Sequence, residues 1–546
     1  MKIGIRLVWK ILLLLGLAAV GYSWATGLMD SIFDYRSPLK DHPPAPGASL
    51  NTALTRRVVF VLIDALRIDT SLDTQTMPFL AELRQRGAWL AMYSRPPSYS
   101  QTGYNTLLTG AWPAYNDGPP INLPYEEIPT FTQDDLFSAL HRAGLKTAIS
   151  GFNWFEKLVP QEAVSVSFYT AGEDATADRQ VVDAALPWLD DPSYAFVLIH
   201  IDQVDYAGHY EGGPRDPRWN AAARRSDDLL GEIANQLDFS QDTLLVTSDH
   251  GQVDRGGHGG QDAITLIEPF ILVGAGVRPG QYPDGQMVDV APTLAALLGC
   301  NLPASSQGHV RQDLLSFTAE QNNQIHTALA AQQDGLLQAY QTATGKKLTV
   351  PSGNDPVATH QAALESVTSL AALLGERLPR AFSALAWVAV AVAVVYRLRG
   401  HGLAWMLAAA LLYMLLFNLR YGILDGRTYS LSSVASANDV VLYIAVTVLA
   451  SLAVSWLAFY LGMQAYRQTP SQAANLVLDW ILVVIGLLAL PVLWHLILNG
   501  AVVTWRLPDF ASSFLGFLFL LQIMFVGLGG LLLAGVSALA ARLRSS

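Results

Sequence analysis

Hydrophobic positions follow two regimes along the 546 residues. Between about residues 57 and 312 they come as short aliphatic and β-branched runs, separated by polar, Pro- and Gly-containing stretches. Val58-Val59-Phe60-Val61-Leu62-Ile63, Ala195-Phe196-Val197-Leu198-Ile199 and Thr243-Leu244-Leu245-Val246-Thr247 are strand-length. Their unbroken apolar character predicts strands covered on both faces, as in the sheet of an α/β domain. Beyond residue 379 the runs lengthen to 381–396, 402–419, 438–462, 477–498 and 512–541. Those lengths suit helices that cross a bilayer, and a further run at 8–28 adds one at the N-terminus.

The predicted organisation follows. Residues 1–36 are a cytoplasmic N-terminus and transmembrane anchor, 37–56 a linker, and 57–312 an α/β domain whose chemistry is read below. Residues 313–378 are a helical extension, and 379–546 a membrane domain of about five helices. Lys2, Arg6 and Lys10 flank the first apolar run, so a cleaved signal peptide competes with an anchor. Tyr22-Ser23-Trp24-Ala25 is a poor cleavage site and favours the anchor. With the basic N-terminus cytoplasmic, Arg397, Arg399, Arg467, Arg542 and Arg544 fall inside and the α/β domain outside. Arg377, Arg380, Arg420, Arg427 and Arg506 fall outside, so the bias is modest. Within the runs Asp479 lies near one end, and His495 reads as a packed or interfacial imidazole rather than part of a transport path.

Composition adds exclusions. A net charge of −11 without a Lys/Arg cluster argues against nucleic-acid binding. The single cysteine, Cys300, rules out an intrachain disulfide framework and a Cys-based zinc site.

The chemistry lies where the strand-like runs end. The first stops at Asp64. The second leads through His200 and Asp202 to Asp205-Tyr206-Ala207-Gly208-His209, and the third reaches Asp249-His250-Gly251, with His258 soon after. In open α/β sheets ligands collect at the carboxyl ends of strands. Carboxylates and imidazoles are the donors that hold zinc-like ions. Asp205 and His209, four apart, would share a helical face, although Asp202 and His200 compete with them. Asp64 alone could equally be a helix N-cap. Pro96-Pro97-Ser98-Tyr99-Ser100-Gln101-Thr102 offers three hydroxyls before a predicted helix, each either a cap or a nucleophile. The whole set describes a site for two metals.

These motifs, with Thr109-Gly110, Gly257-His258-Gly259 and Asp289-Val290-Ala291-Pro292-Thr293, resemble the alkaline phosphatase superfamily. The branch is that of type I phosphodiesterases and nucleotide pyrophosphatases. Within it the chain is most similar to the membrane-bound ethanolamine phosphate transferases of glycosylphosphatidylinositol assembly, which share its anchor–domain–bundle plan. The resemblance implies an alkaline-phosphatase-like central sheet flanked by helices. It implies Ser100 as nucleophile, nine residues before Thr109-Gly110, and Asp205 rather than Asp202 as ligand. One ion would be held by Asp205, His209 and His258, the other by Asp64, Asp249, His250 and the Ser100 oxygen. Zinc is the expected ion and manganese the alternative. Where relatives carry a phosphate-contacting Asn after the nucleophile this chain has Gly103, and Asn105 two residues on is the substitute.

The expected activity is phosphoethanolamine-type transfer to or from a lipid-linked substrate, with a phosphodiester or phospholipid as partner. The alternative is an extracytoplasmic phosphodiesterase or nucleotide pyrophosphatase. A sulfatase would need a Cys/Ser-x-Pro-x-Arg context that Ser100-Gln101-Thr102-Gly103-Tyr104 lacks. A non-catalytic membrane assembly protein would have lost ligands that this chain keeps.

Overall fold

The computed structural model describes residues 4–398, 402–434, 437–463 and 469–545. Arg399 and Arg467, which bear on orientation, lie outside the described residues, as does residue 400. The chain forms two compact units. One comprises 33–372 with 505–507, the other 1–32 with 373–504 and 508–546.

The first unit is built on a nine-stranded sheet. Its strands are β1 (Arg57–Ile63), β2 (Ala88–Tyr93), β3 (Lys146–Phe152), β4 (Val166–Thr170) and β5 (Tyr194–Ile201), followed by β6 (Asp242–Thr247), β7 (Ile267–Gly274), β8 (Gly280–Gln281) and β9 (Gly285–Gln286). The order is β4-β3-β5-β1-β6-β7-β2-β8, with β9 beside β2. From β4 to β6 the pairing is parallel, and β7 runs antiparallel to both β6 and β2. All seven residues of β1 are buried, as expected for a central strand with helices on both faces. Val59, Val61, Val197, Ile199, Leu244 and Val246 join one core with Trp219 and Leu230 of a flanking helix. Each such side chain contributes about 1.5–3 kcal/mol by leaving water, which makes the sheet a rigid base for the loops at its edge.

The parallel register fixes that edge. Ile63 lies beside Ile201, and Leu62 beside Thr247. The next residues outward, Asp64, Asp202 and Asp249, therefore leave the sheet side by side.

In the second unit, α1 (Ile5–Phe33) buries Leu14, Ala18, Gly21, Ala25, Leu28 and Ile32. That spacing of three and four forms one helical stripe. It packs on the last helix of the chain, Phe510–Ser545, where a Cβ on Gly21 would lie 2.9 Å from the Leu520 carbonyl oxygen. Lys10 Nζ is 2.7 Å from Asp479 Oδ1 and donates to Asn475 Oδ1 at 3.1 Å. Among the described residues five helices are long and apolar enough to cross a membrane: Ile5–Phe33, Leu403–Leu424, Val440–Gly462, Pro470–Asn499 and Phe510–Arg544. The run 381–396 is also helical, within Leu370–Leu398. The protein is an integral membrane protein.

Candidate active site

Six of the seven expected metal-site residues emerge from the carboxyl edges of β1, β5 and β6. Asp64 follows β1, and Asp249 and His250 follow β6. Asp205 and His209 lie on α2 (Gln203–Tyr210), one turn apart just after β5. His258 comes from the glycine-rich loop beyond His250. The seventh, Ser100, is the first residue of α3 (Ser100–Thr109), between β2 and β3.

The structure brings all seven together. Ser100 Oγ lies 3.1 Å from His250 Nε2. That nitrogen is 3.5 Å from Asp64 Oδ1 and 3.3 Å from Asp249 Oδ2. His258 Nε2 is 3.0 Å from His209 Nε2 and 3.6 Å from Asp205 Oδ1, and the rings of His250 and His258 stack at 3.9 Å. Asp64, Asp249 and His250 can hold one ion, and Asp205, His250 and His258 another; within each group the ligand atoms lie within 4.8 Å of one another. The rivals His200 and Asp202 form a third such group with Asp64.

Two further features fit a cation. Asp64 Oδ1 and Asp249 Oδ2 are buried and have no hydrogen-bond partner, a costly state unless an ion occupies the space between them. His250 Nδ1 lies 3.1 Å from the Gly251 carbonyl, and His258 Nδ1 lies 2.9 Å from the Ser98 carbonyl. Donation there leaves each Nε2 as a free lone pair, the usual arrangement behind a metal-bound imidazole.

Electrostatics agree. Burial, then the neighbouring Asp64 charge, pushes the Asp249 carboxyl well above its usual range. Burial also raises Asp205, against the His209 charge, and raises Asp202 strongly, helped by Asp64 and Asp205. Burial would raise Asp64 too, but its bond to His200 and the charges of His250 and His200 hold it low. Burial, with the charges of His250 and His209, drives His258 well below its ordinary value. Carboxylates crowded beside a neutral His258 imidazole are what a divalent cation relieves.

Of the three candidate hydroxyls only Ser100 faces this centre. Ser98 Oγ accepts from the Gly259 amide and pairs with the Gly260 carbonyl and Thr265. Thr102 Oγ1 donates to the Pro119 carbonyl. The side-chain amide of Asn105 donates 2.7 Å to the Gln101 carbonyl along its own helix. Asn122 lies beside Ser100, with Nδ2 3.3 Å from Ser100 Oγ and Oδ1 accepting from the Gln101 amide at 3.0 Å. Gln101 exchanges two further bonds with the backbone of Leu123, which pins this loop to the start of α3. Nothing in the proline-rich surroundings of Asn122 signals that position. Tyr104 was also missed. Its hydroxyl bonds Asp64 Oδ2 and lies 2.9 Å from His200 Nε2, while His200 Nε2 is 3.0 Å from the same oxygen.

An acidic cradle of carboxylates and imidazoles that could hold metal, with a hydroxyl at its centre and set on the carboxyl edge of a parallel sheet, is suited to metal-assisted phosphoryl transfer. Residues 58–117 and 127–307 match the type I phosphodiesterase/nucleotide pyrophosphatase family, so this region of the chain is similar to that family. Among curated proteins it is 28% identical over 314 residues to the catalytic subunit of GPI ethanolamine phosphate transferase 3 of Mus musculus, covering 52% of this chain and 28% of that one. It is also 28% identical over 295 residues to the catalytic subunit of human (Homo sapiens) GPI ethanolamine phosphate transferase 2, covering 49% and 29%. The chain thus spans less than a third of the length of these relatives. Similar solved structures include murine ectonucleotide pyrophosphatase/phosphodiesterase 5, with a TM-score of 0.42, 15% identity and coverage of 48% of this chain and 100% of that one. Wild-type alkaline phosphatase PafA scores 0.39 at 10% identity, covering 48% and 99%.

Proposed function

We propose that this protein moves a phosphoethanolamine-type group between a phospholipid and a lipid-linked acceptor, with Ser100 as nucleophile. The observation that carries the reading is the Ser100 hydroxyl, aimed at His250 beside two unpartnered carboxylate oxygens, in a chain that also holds a membrane bundle. The similarity to GPI ethanolamine phosphate transferases supports the choice of group.

Asp205, His209 and His258 would hold one ion, and Asp64, Asp249, His250 and the Ser100 oxygen the other. Mixed imidazole and carboxylate ligands suit zinc, with manganese next. Bound divalent ions supply Lewis acidity, which lowers the pKa of a hydroxyl and neutralises phosphoryl oxygens. Ser100 opens α3, so its hydroxyl sits at the positive end of the helix dipole, where phosphate is favoured. Asn122 Nδ2 is placed to donate to a phosphoryl oxygen next to Ser100 Oγ.

In the first half-reaction Ser100 loses its proton to solvent and Oγ bonds to phosphorus. The bond from phosphorus to the diacylglycerol oxygen breaks, and that oxygen takes up a proton. In the second, an acceptor hydroxyl loses its proton and its oxygen bonds to phosphorus as the bond from phosphorus to Ser100 Oγ breaks, and Oγ takes a proton back. If water replaces the acceptor, the result is the phosphodiesterase reading, the runner-up favoured by the family match over 58–307. The catalytic unit lies outside the cytoplasm on this proposal.

The test uses the full chain in phosphatidylethanolamine vesicles, with and without a synthetic mannosyl glycolipid. The expected result is phosphoethanolamine on the glycolipid and diacylglycerol in the bilayer, both lost in Ser100→Ala while bound zinc persists. Release of free phosphoethanolamine at the same rate with or without glycolipid would establish the hydrolase instead.

A further inference from the structure

Two residues past His250 the chain places Gln252, which is fully buried. Its Nε2 donates to Asp205 Oδ1 at 2.5 Å and to the Asp205 carbonyl at 3.3 Å. Room for this side chain comes from Gly208, the residue before His209 on α2. A Cβ there would stand 1.5 Å from Gln252 Oε1 and 2.3 Å from Nε2. The backbone is held as well, since Arg67 Nη1 donates to the Gln252 carbonyl at 3.3 Å. Gln252 is thus fixed against the turn that carries Asp205 and His209.

Its neighbour dictates which way the amide points. Nε2 toward Asp205 makes a charge-assisted bond, whereas the reverse would set an acceptor against a carboxylate. That orientation leaves Gln252 Oε1 buried without a hydrogen-bond partner among the described residues. An apolar side chain of the same volume would avoid that penalty, so packing does not explain an amide here; the bond to Asp205 does. The bond occupies Oδ1 and leaves Oδ2, 3.4 Å from His209 Nε2, to join the imidazoles on an ion. Oδ1 is itself 3.6 Å from His258 Nε2, so without Gln252 both oxygens would be available to the same ion. One carboxylate oxygen, two imidazoles and an open position suit four-coordinate zinc. Manganese favours more oxygen ligands and gains from the second carboxylate oxygen.

We propose that Gln252 is a positioning residue that confines Asp205 to one-oxygen ligation and so biases the Asp205–His209–His258 centre toward zinc over manganese. This rests on the two-ion reading of the site and deepens it, since it names the hydrogen bond by which the protein selects the ion.

The experiment uses the full chain in detergent, stripped with a chelator. Zinc is titrated against a chromophoric competitor, and manganese is followed by the paramagnetic resonance of the free ion. Wild type is expected to bind two zinc ions. Gln252→Met, of similar volume but without a donor, should weaken one of them about tenfold and leave the other unchanged. The zinc-to-manganese affinity ratio at the weakened site should narrow by about the same factor. Gln252→Glu keeps the shape but sets an oxygen ligand beside Asp205, and should narrow the ratio at least as far. Stripped Gln252→Met should melt no lower than stripped wild type, because it loses the unpartnered Oε1. On a His209→Ala background, which removes the centre that Gln252 serves, Gln252→Met should leave the remaining zinc affinity unchanged. Unaltered affinities in Gln252→Met, an equal loss of both zinc ions, or a stripped variant that melts several degrees lower would overturn the role. Wild type that binds no zinc would end the two-ion reading, whereas two ions indifferent to Gln252 would end only this assignment.

Discussion

Asp64 Oδ2 takes both Tyr104 and His200, while Oδ1 is left without a partner toward His250. Holding one carboxylate oxygen fixes the direction of the other, which is how outer partners orient metal ligands. Tyr104→Phe frees one side of that grip. Its expected cost is about tenfold in kcat and in metal affinity, read by metal titration beside turnover; unchanged values for both would reduce Tyr104 to a packing contact on Phe155. Asn122→Ala should lower kcat/KM about 100-fold, the scale of one lost donor to a developing oxyanion. Asn105→Ala should leave turnover intact and cost about 1 kcal/mol of stability in a denaturant titration. This pair of residues shows where the sequence stops being informative. Asp205 with His209, and Asp249 with His250, sit in local motifs whose spacing is readable. Asn122 and Tyr104 act through partners 22 and 40 positions away, and only the folded loop brings them there.

The strands were readable because β1, β5 and β6 are buried along their length and therefore apolar along their length. The antiparallel β7 and β2 were less so, since β2 alternates buried and partly exposed positions and lies toward one side of the sheet. The helical extension was visible as pattern, but its docking was not. His309 Nε2 lies 3.0 Å from Asp355 Oδ2, and Asp355 caps the helix Pro356–Ser366. On its other side His309 Nδ1 faces Asp289 at 3.7 Å. Asp289, opposed by burial and assisted by Asp355, pushes the His309 imidazole up from 6.5 to about 9. The folded value exceeds the unfolded one, so the stabilisation is complete below about pH 6.5 and is lost as pH rises through about 9. Between those values the thermal midpoint of the wild type should fall more steeply than that of His309→Gln, measured by parallel melts across pH. Coincident curves would show that this contact does not hold the helix.

At the scale of the whole chain, orientation is the open prediction. If the catalytic unit is extracytoplasmic, a cysteine replacing Asn322 should react with an impermeant maleimide in intact cells, and one at Gly402 should react only after permeabilisation. The reverse pattern would invert the topology. The native thiol gives little background, because Cys300 is buried. The packing of α1 carries another consequence, for biogenesis. Helix α1 has its polar partner, Asp479, and a close backbone neighbour, Leu520, several hundred residues later in the sequence. Until those segments are inserted, Lys10 has no counter-ion and the buried stripe of α1 faces lipid. Assembly of this bundle is therefore a late, non-local event, slow by the logic that makes distant contacts expensive to close. A chain stalled before Asp479 would present an unpaired lysine in α1, a mark by which membrane quality control can tell unfinished protein from finished.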